Sequence, residues 1–206
     1  MLYDSAGGMY DRFIGPRRRA LRLLRRAFDA AGTNASSEVV WVAELEGRLA
    51  GAIAAFPVGE TLGRARSFLR LALRTLPPWR WPTMLWLYWA GARATPAPPD
   101  DALYVDALAT HPELRRRGAA RALLEHAEER ARSLGLSHVA LDTALTNRPA
   151  RALYGSVGFD EVAYRPAARG LPGFVALVKE LRRPTPGGRR VGLPEEPPPP
   201  ARPGAR

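Results

Sequence analysis

The chain has 206 residues, 46% of them hydrophobic, and contains no cysteine. Its length fits one domain with a tail, and the missing cysteines exclude disulfides, thiolate metal sites and a cysteine nucleophile. They also suit a reducing compartment, so we expect a cytoplasmic protein. We expect no signal peptide, and the most apolar stretch, residues 83–92, is about half as long as a membrane span.

The formal net charge of +11 by itself favours nucleic acid, an anionic membrane surface or an acidic substrate as partner. One lysine stands against 30 arginines, beside many alanine, glycine and proline residues. That composition is typical of a GC-rich bacterial genome, and the arginines are spread along the sequence rather than gathered in one stripe. We therefore expect neither nucleic acid nor a membrane as the partner.

The first half of the chain predicts a helix, a hairpin and a helical insertion. Apolar residues recur at helical spacing, then give way to two runs rich in β-branched residues around a short turn. The predicted elements are, in chain order, a helix over 16–31, strands over 38–45 and 49–58, and helices over 62–76 and 84–94. The insertion as a whole spans residues 59–99.

Four of the five tryptophans lie in this insertion, between residues 79 and 89. One interpretation is that they pack in the core or form a dimer surface. The other is that they cover or wall a substrate pocket. The sequence leaves both open.

The second half predicts a strand–helix–strand unit, a short helix and two closing strands. The predicted elements are strands over 102–110 and 138–144, helices over 118–134 and 149–157, and strands over 159–165 and 173–181. This order predicts an α/β (α+β) fold with a mixed sheet in one domain over residues 1–181. Residues 182–206 are dominated by proline, glycine and arginine, which predicts a disordered tail.

Two arginine triplets, at 17–19 and 115–117, stand in unlike contexts. The second lies between a predicted strand and a predicted helix, with Gly118 at the turn and Ala119 and Ala120 after it. A helix start leaves backbone N–H groups without partners, and its dipole favours an anion. Glycine allows close approach, and guanidinium groups add charge. We therefore expect a pyrophosphate site at the second triplet and a solvated face at the first.

The sequence RRRGAA at 115–120 fits the pattern [RQ]-x-x-G-x-[GA] of the GNAT superfamily of N-acetyltransferases. The stretch LDTALTNRPARALYGSVGF at 141–159 resembles the second signature of the same family. Its defined places hold Asn147, Ala150, Leu153, Tyr154, Gly158 and Phe159. The resemblance covers about residues 16–181 and implies a twisted, mostly antiparallel sheet with flanking helices and a central β–α–β acetyl-CoA site.

The resemblance also implies a reaction, the direct transfer of an acetyl group from acetyl-CoA to a primary amine. Strand backbone would hold the pantetheine arm, loop amides the pyrophosphate, and Asn147 would contact the cofactor arm, with Tyr154 near the thioester sulfur. The implied cofactor-binding residues are Leu108, Ala109, Thr110, Arg115, Arg116, Arg117, Gly118, Ala119, Ala120, Asn147 and Tyr154.

The chemistry demands an acid that protonates the leaving thiolate, and a base or a water chain that takes a proton from the substrate ammonium, since an ammonium cannot attack. Tyr154 is the candidate acid, with a packing role as the alternative. Asp106 and Glu44, on strands that border the expected pocket, are the candidate bases, and Asp106 could equally be structural. His111 and His138 are interpreted as loop and strand-start residues. With only three histidines and no close acidic pairing, we expect no metal site.

The chain departs from the family at its start, because the strand that usually opens the domain is missing before the first helix. Our hypothesis is that the gene model is truncated, with a start site that is placed after the first strand. The acceptor is a small molecule or a peptide or protein amine that the sequence does not specify, and a homodimer is compatible with it. The alternative function is a GNAT-fold module that binds acyl-CoA without catalysis.

Overall fold

The computed structural model describes Tyr3, residues 14–94, residues 97–167 and residues 172–181. The predicted tail at 182–206 lies outside these residues. The helices are α1 (Arg17–Asp29), α2 (Thr61–Thr75), α3 (Trp81–Ala94), α4 (Ala119–Ser133) and α5 (Arg148–Ser156). The strands are β1 (Val40–Leu45), β2 (Arg48–Pro57), β3 (Ala102–Thr110), β4 (His138–Ala144), β5 (Asp160–Arg165) and β6 (Phe174–Glu180).

The six described strands form one sheet in the order β1-β2-β3-β4-β6-β5. Strands β3 and β4 are parallel, and every other neighbouring pair is antiparallel. Helix α4 provides the crossover that a parallel pair requires. The predicted mixed, mostly antiparallel sheet with a central β–α–β unit is confirmed.

Helix α4 packs on one face of this sheet and forms the main core with it. Side chains alternate along β4, so that Val139 and Leu141 point into this core while Ala140 and Asp142 lie on the opposite face. The core residues that α4 supplies are Leu123, Leu124, Ala127 and Ala131. Their spacing of three and four residues is the helical period seen in the sequence.

Helices α1, α2 and α3 share a second, smaller core. It joins the first helix to the insertion through Ala20, Leu23, Ala72, Leu76 and Met84, all buried. Helix α2 lies over the sheet face away from α4. There the Arg64 guanidinium stacks on the Phe56 ring at 5.4 Å, and Phe56 neighbours Tyr104 at a ring distance of 6.1 Å.

No helix in the described ranges is long and apolar enough to cross a membrane.

The tryptophans of the insertion are partly accessible rather than buried, and Trp79 is 74% exposed. Core packing therefore does not account for Trp79, and a surface role remains for it.

Candidate active site

The central strands diverge halfway along their length. Strand β3 pairs with β4 only over Ala102–Val105, opposite His138–Leu141. Beyond that point β3 continues along β2 to Thr110, and β4 continues along β6 to Ala144. The two strands therefore open a wedge, and the edge of β3 that faces the wedge is not paired with β4. An extended ligand can add to such an edge through main-chain hydrogen bonds.

Asp106 lies where the wedge begins. The register of β2 and β3 shifts there, because Ala54 pairs with Ala107 while Ala55 pairs with Val105. Asp106 is the extra residue of this β-bulge. Bulges redirect side chains and are common beside active sites.

The Asp106 carboxyl has an unusual environment for an accessible side chain. It accepts a hydrogen bond from Asn34 Nδ2 at 3.2 Å. Desolvation by the surrounding protein, and then the negative charge of Asp142, raise the pKa of Asp106 to about 7, while the Asn34 bond acts in the opposite direction. A carboxylate with that pKa can accept a proton near neutral pH.

Asp142 is the residue that connects the members of the site. The Tyr104 hydroxyl donates a hydrogen bond to Asp142 Oδ2. Burial raises the pKa of Asp142, and this hydrogen bond partly offsets the rise. The charge of Asp142 also contributes to the raised pKa values of Tyr104, Asp106 and Tyr154, in each case after desolvation. Tyr104, Asp106 and Tyr154 therefore all lie within electrostatic reach of Asp142.

The sequence analysis did not select Asp142 or Tyr104. The available signal was an acidic residue inside HVALDTA, a strand that is otherwise apolar. A carboxylate in a buried strand is costly without a partner, so it indicates a specific role.

A pocket of about 350 Å³ adjoins the Tyr104–Asp142 pair. Its wall is mostly apolar and lies on the sheet face away from α4. The lining residues are Ala97, Pro98, Pro99, Tyr104, Ala140, Leu141, Asp142, Val162, Ala176, Leu177 and Val178. The end of the insertion thus contributes to the wall, whereas its tryptophans are not among the lining residues.

Tyr154 lies on α5 and is only 7% exposed. Its ring neighbours Phe159 at 5.9 Å and belongs to the main apolar core. Burial, followed by the charge of Asp142, raises the pKa of Tyr154 to about 12. The phenol therefore stays protonated at neutral pH and can donate a proton or a hydrogen bond. Packing and acid catalysis are both compatible with this position.

The second arginine triplet forms an exposed loop at the start of α4. Two of its residues have left-handed backbone, Arg116 with φ 61° and Gly118 with φ 88°. Gly118 is the N-cap of α4, and a Cβ placed on it would meet no atom within 4 Å. Arg117 lies 3.7 Å from Glu46 of the β1–β2 turn. The loop thus presents the first amides of α4 to open, positively charged space, which suits an anion.

Asn147 and Glu44 occupy different surroundings. Asn147 caps α5, because its Oδ1 accepts from the Ala150 amide at 3.4 Å and its Nδ2 donates to Thr143 Oγ1 at 3.1 Å. Glu44 is exposed on β1, the outer strand, and pairs with Leu49. The structure therefore brings Asp106, Asp142 and Tyr154 together and leaves Glu44 two strands away from β3.

The Acetyltransferase (GNAT) family model matches residues 9–159. The chain belongs to the GNAT acetyltransferase family. The strand divergence and the loop before α4 lie inside the matched range, as does the bulge at Asp106. No curated protein sequence matches this GNAT chain at a significant level.

Solved structures support the fold of this GNAT chain. It is similar to an N-acetyltransferase from Staphylococcus aureus Mu50, with 21% identity, a TM-score of 0.59, and coverage of 79% of this chain and 81% of that one. A further acetyltransferase shares 18% identity at a TM-score of 0.58, over 80% and 82% of the two chains. Identities this low show the fold alone.

Proposed function

We propose that this protein is a cytoplasmic N-acetyltransferase that transfers an acetyl group from acetyl-CoA to a primary amine. The observation that supports this function best is the bulged Asp106 at the opening of the β3–β4 wedge. Its pKa of about 7 matches the requirement for a base that works near neutral pH. The exposed start of α4 at the far end of the same wedge provides the anion site that the cosubstrate needs.

The wedge and the loop suit the two halves of acetyl-CoA. The edge of β3 at Leu108, Ala109 and Thr110 would bind the amides of the pantetheine arm in the manner of an added strand. The amides of residues 115–120 would bind the pyrophosphate, with Gly118 allowing close approach. Asn147, the N-cap of α5 after the end of β4, would contact the cofactor arm.

Three groups of this chain would share the transfer step. Asp106 takes a proton from the substrate ammonium, so that the neutral nitrogen attacks the thioester carbonyl carbon. A backbone N–H of β3 stabilises the negative charge that develops on the carbonyl oxygen. As the carbon–sulfur bond breaks, the Tyr154 hydroxyl gives a proton to the leaving thiolate, and the attacking nitrogen gives its surplus proton to the Tyr154 phenolate, so that one proton remains on Asp106. The products are an acetamide and CoA.

The pocket beside Tyr104 and Asp142 indicates the kind of acceptor. Its apolar wall favours an amine with an apolar body, and the carboxylates of Asp106 and Asp142 attract a single ammonium group. A small-molecule amine and a peptide or protein amine both meet this description.

Replacing Tyr154 with phenylalanine removes only the hydroxyl and keeps the ring in its apolar cluster. We expect kcat to fall by roughly 10²-fold or more because the leaving thiolate loses its acid, while the melting temperature stays close to that of the wild type. Steady-state kinetics with a reactive amine would measure this. Unchanged kcat would assign Tyr154 to packing alone.

Acetyl-CoA should stabilise the purified protein. A ligand at about 100 times its dissociation constant adds about 2.7 kcal/mol, which for a domain of this size is a rise of about 5 °C or more in melting temperature. Thermal unfolding with dephospho- and desulfo-analogues as controls would test the site. No shift would contradict the cofactor assignment.

The alternative function, a module that binds acyl-CoA without catalysis, predicts the same stabilisation. The two functions differ in turnover with a panel of primary amines. Sustained release of CoA with any amine supports the enzyme, whereas stabilisation without release supports the module.

A further inference from the structure

The positive charge of this protein is concentrated in the helical layer, defined as α1 and the insertion helices α2 and α3 with their connection. Residues 16–29 and 61–99 contain twelve arginines and a single carboxylate, Asp29. Residues 100–181 contain eleven basic and eleven acidic side chains. A compositional bias toward arginine acts along the whole chain and does not remove carboxylates from two segments only.

The fold joins these two segments into one layer. Their apolar faces meet in the small buried core that α1, α2 and α3 share. Outside it, the guanidinium groups of Arg19 and Arg80 both lie against Gly15. Arg26 Nη1 donates to Thr75 Oγ1 at 3.4 Å and so links the two segments a second time. Two stretches that are about 35 residues apart in sequence therefore present their arginines together.

Most of this charge has no ion-pair partner among the described residues. Among ion pairs between described residues, Arg64 is the only arginine of the layer that takes part, with Glu60 at 2.7 Å and Glu38 at 3.6 Å. The exposed arginines of the layer are Arg17, Arg18, Arg22, Arg25, Arg26, Arg66, Arg70 and Arg74.

The same layer exposes large apolar side chains beside the arginines. Trp79 and Trp81 flank Arg80 and are 74% and 41% exposed. Leu62 and Leu85 on the insertion helices are exposed as well. Tryptophan and arginine side chains combine an apolar body with a polar end, and both are favoured where a membrane meets water.

We propose that the helical layer binds the surface of a membrane that contains anionic lipids. Its arginines would contact headgroup phosphates, and Trp79 with its apolar neighbours would enter the boundary between headgroups and acyl chains. A second copy of the chain fits this face less well, because two such layers would repel each other. Single-stranded nucleic acid also binds arginine and tryptophan, but the exposed leucines cannot stack on bases.

This inference replaces the expectation that the protein has no membrane partner. That expectation was based on arginines spread evenly along the sequence. Their spread in sequence becomes a single surface once α1 packs against α2 and α3. The inference does not depend on the proposed acetyl transfer.

The test is flotation of the full chain with lipid vesicles. One set contains phosphatidylcholine alone, and the other contains phosphatidylcholine with phosphatidylglycerol. The variant R70Q/R74Q removes two exposed charges from the layer, and the control R130Q/R165Q removes two exposed charges elsewhere. We expect wild type and control to bind anionic vesicles, and R70Q/R74Q to bind about 30-fold more weakly, since each charge near the surface contributes about 1 kcal/mol.

A third variant keeps the test valid if the charge variant folds poorly. Trp79→Ser changes a side chain that is 74% exposed, and we expect it to weaken binding while leaving the melting temperature unchanged. No flotation of the wild type with anionic vesicles would overturn the proposal, as would equal losses for R70Q/R74Q and R130Q/R165Q. Binding of a single-stranded oligonucleotide at physiological salt, without flotation on anionic vesicles, would also overturn it and assign the layer to nucleic acid.

Discussion

Replacing Gly118 with glutamate is expected to abolish measurable binding of acetyl-CoA. The new carboxylate would occupy the open space before α4 in which we place the pyrophosphate, and its charge would oppose the helix dipole and the neighbouring arginines. The left-handed φ of 88° at this position adds strain for any residue with a Cβ. Isothermal titration with acetyl-CoA would measure the loss.

The opposite end of α4 offers a matched control for this substitution. Gly135 also has a left-handed φ, 72°, and a Cβ placed on it would meet no atom within 4 Å. It lies about 25 Å from Gly118 at the helical rise of 1.5 Å per residue. Gly135→Glu therefore carries a similar strain and the same charge but should bind acetyl-CoA as the wild type does. Equal affinities of the two variants would refute the placement of the pyrophosphate.

Replacing Asp106 with asparagine is expected to lower kcat/KM by about 10²-fold to 10⁴-fold, because the substrate ammonium loses the base that converts it to the attacking amine. The amide keeps an oxygen that can accept the hydrogen bond from Asn34. For the wild type, kcat/KM should rise with pH and level off above pH 7, since the pKa of Asp106 is about 7 and the carboxylate is the active form. This rise should be absent in the variant.

Glu44→Gln is the matched control for the base, since it makes the same chemical change on the other candidate. We expect it to keep the activity and the pH profile of the wild type, because Glu44 lies on the outer strand. Loss of turnover in Glu44→Gln with retention in Asp106→Asn would reverse the assignment.

Asp106→Asn should also change stability in a pH-dependent way. The pKa of Asp106 is raised from 3.8 to about 7 in the folded protein, so the folded state binds its proton more tightly than the unfolded state. The stability that this group contributes is present below pH 4 and is lost as pH rises through about 7. The neutral variant should therefore melt at a higher temperature than the wild type above about pH 8 and at a similar one below about pH 4. Identical melting curves at both extremes would contradict the raised pKa.

The features that the sequence determined by itself are local ones. The loop at 115–120 follows from three arginines, a glycine and the start of an apolar helical period, all within a few residues of each other. The structure places Gly118 at the N-cap of α4, at the turn where that pattern predicts it, and its positive φ is a detail that only the structure supplied. Strands and helices likewise agree with their periodicity, because side-chain alternation is set by the backbone geometry of each element.

The tertiary structure decided what lies together from separate parts of the chain. Besides desolvation, the charge of Asp142 raises the pKa of Asp106 and of Tyr154 because β4 lies beside β3 and α5 follows β4. The spacing of these residues in the sequence does not predict that they are close in space. The raised pKa of Asp106 depends on desolvation by those neighbours, and its bulge depends on the register with β2.

The surface of the helical layer was also decided by packing. Arginines of α1 and of the insertion are dispersed in the sequence, and the buried core that these helices share brings the two segments together. The burial of apolar surface determines which helices pack together. The charged side chains then lie on the helix faces that remain exposed. Composition therefore determined how much charge the protein carries. The packing of α1 against α2 and α3 determined where on the protein the arginines of these helices lie.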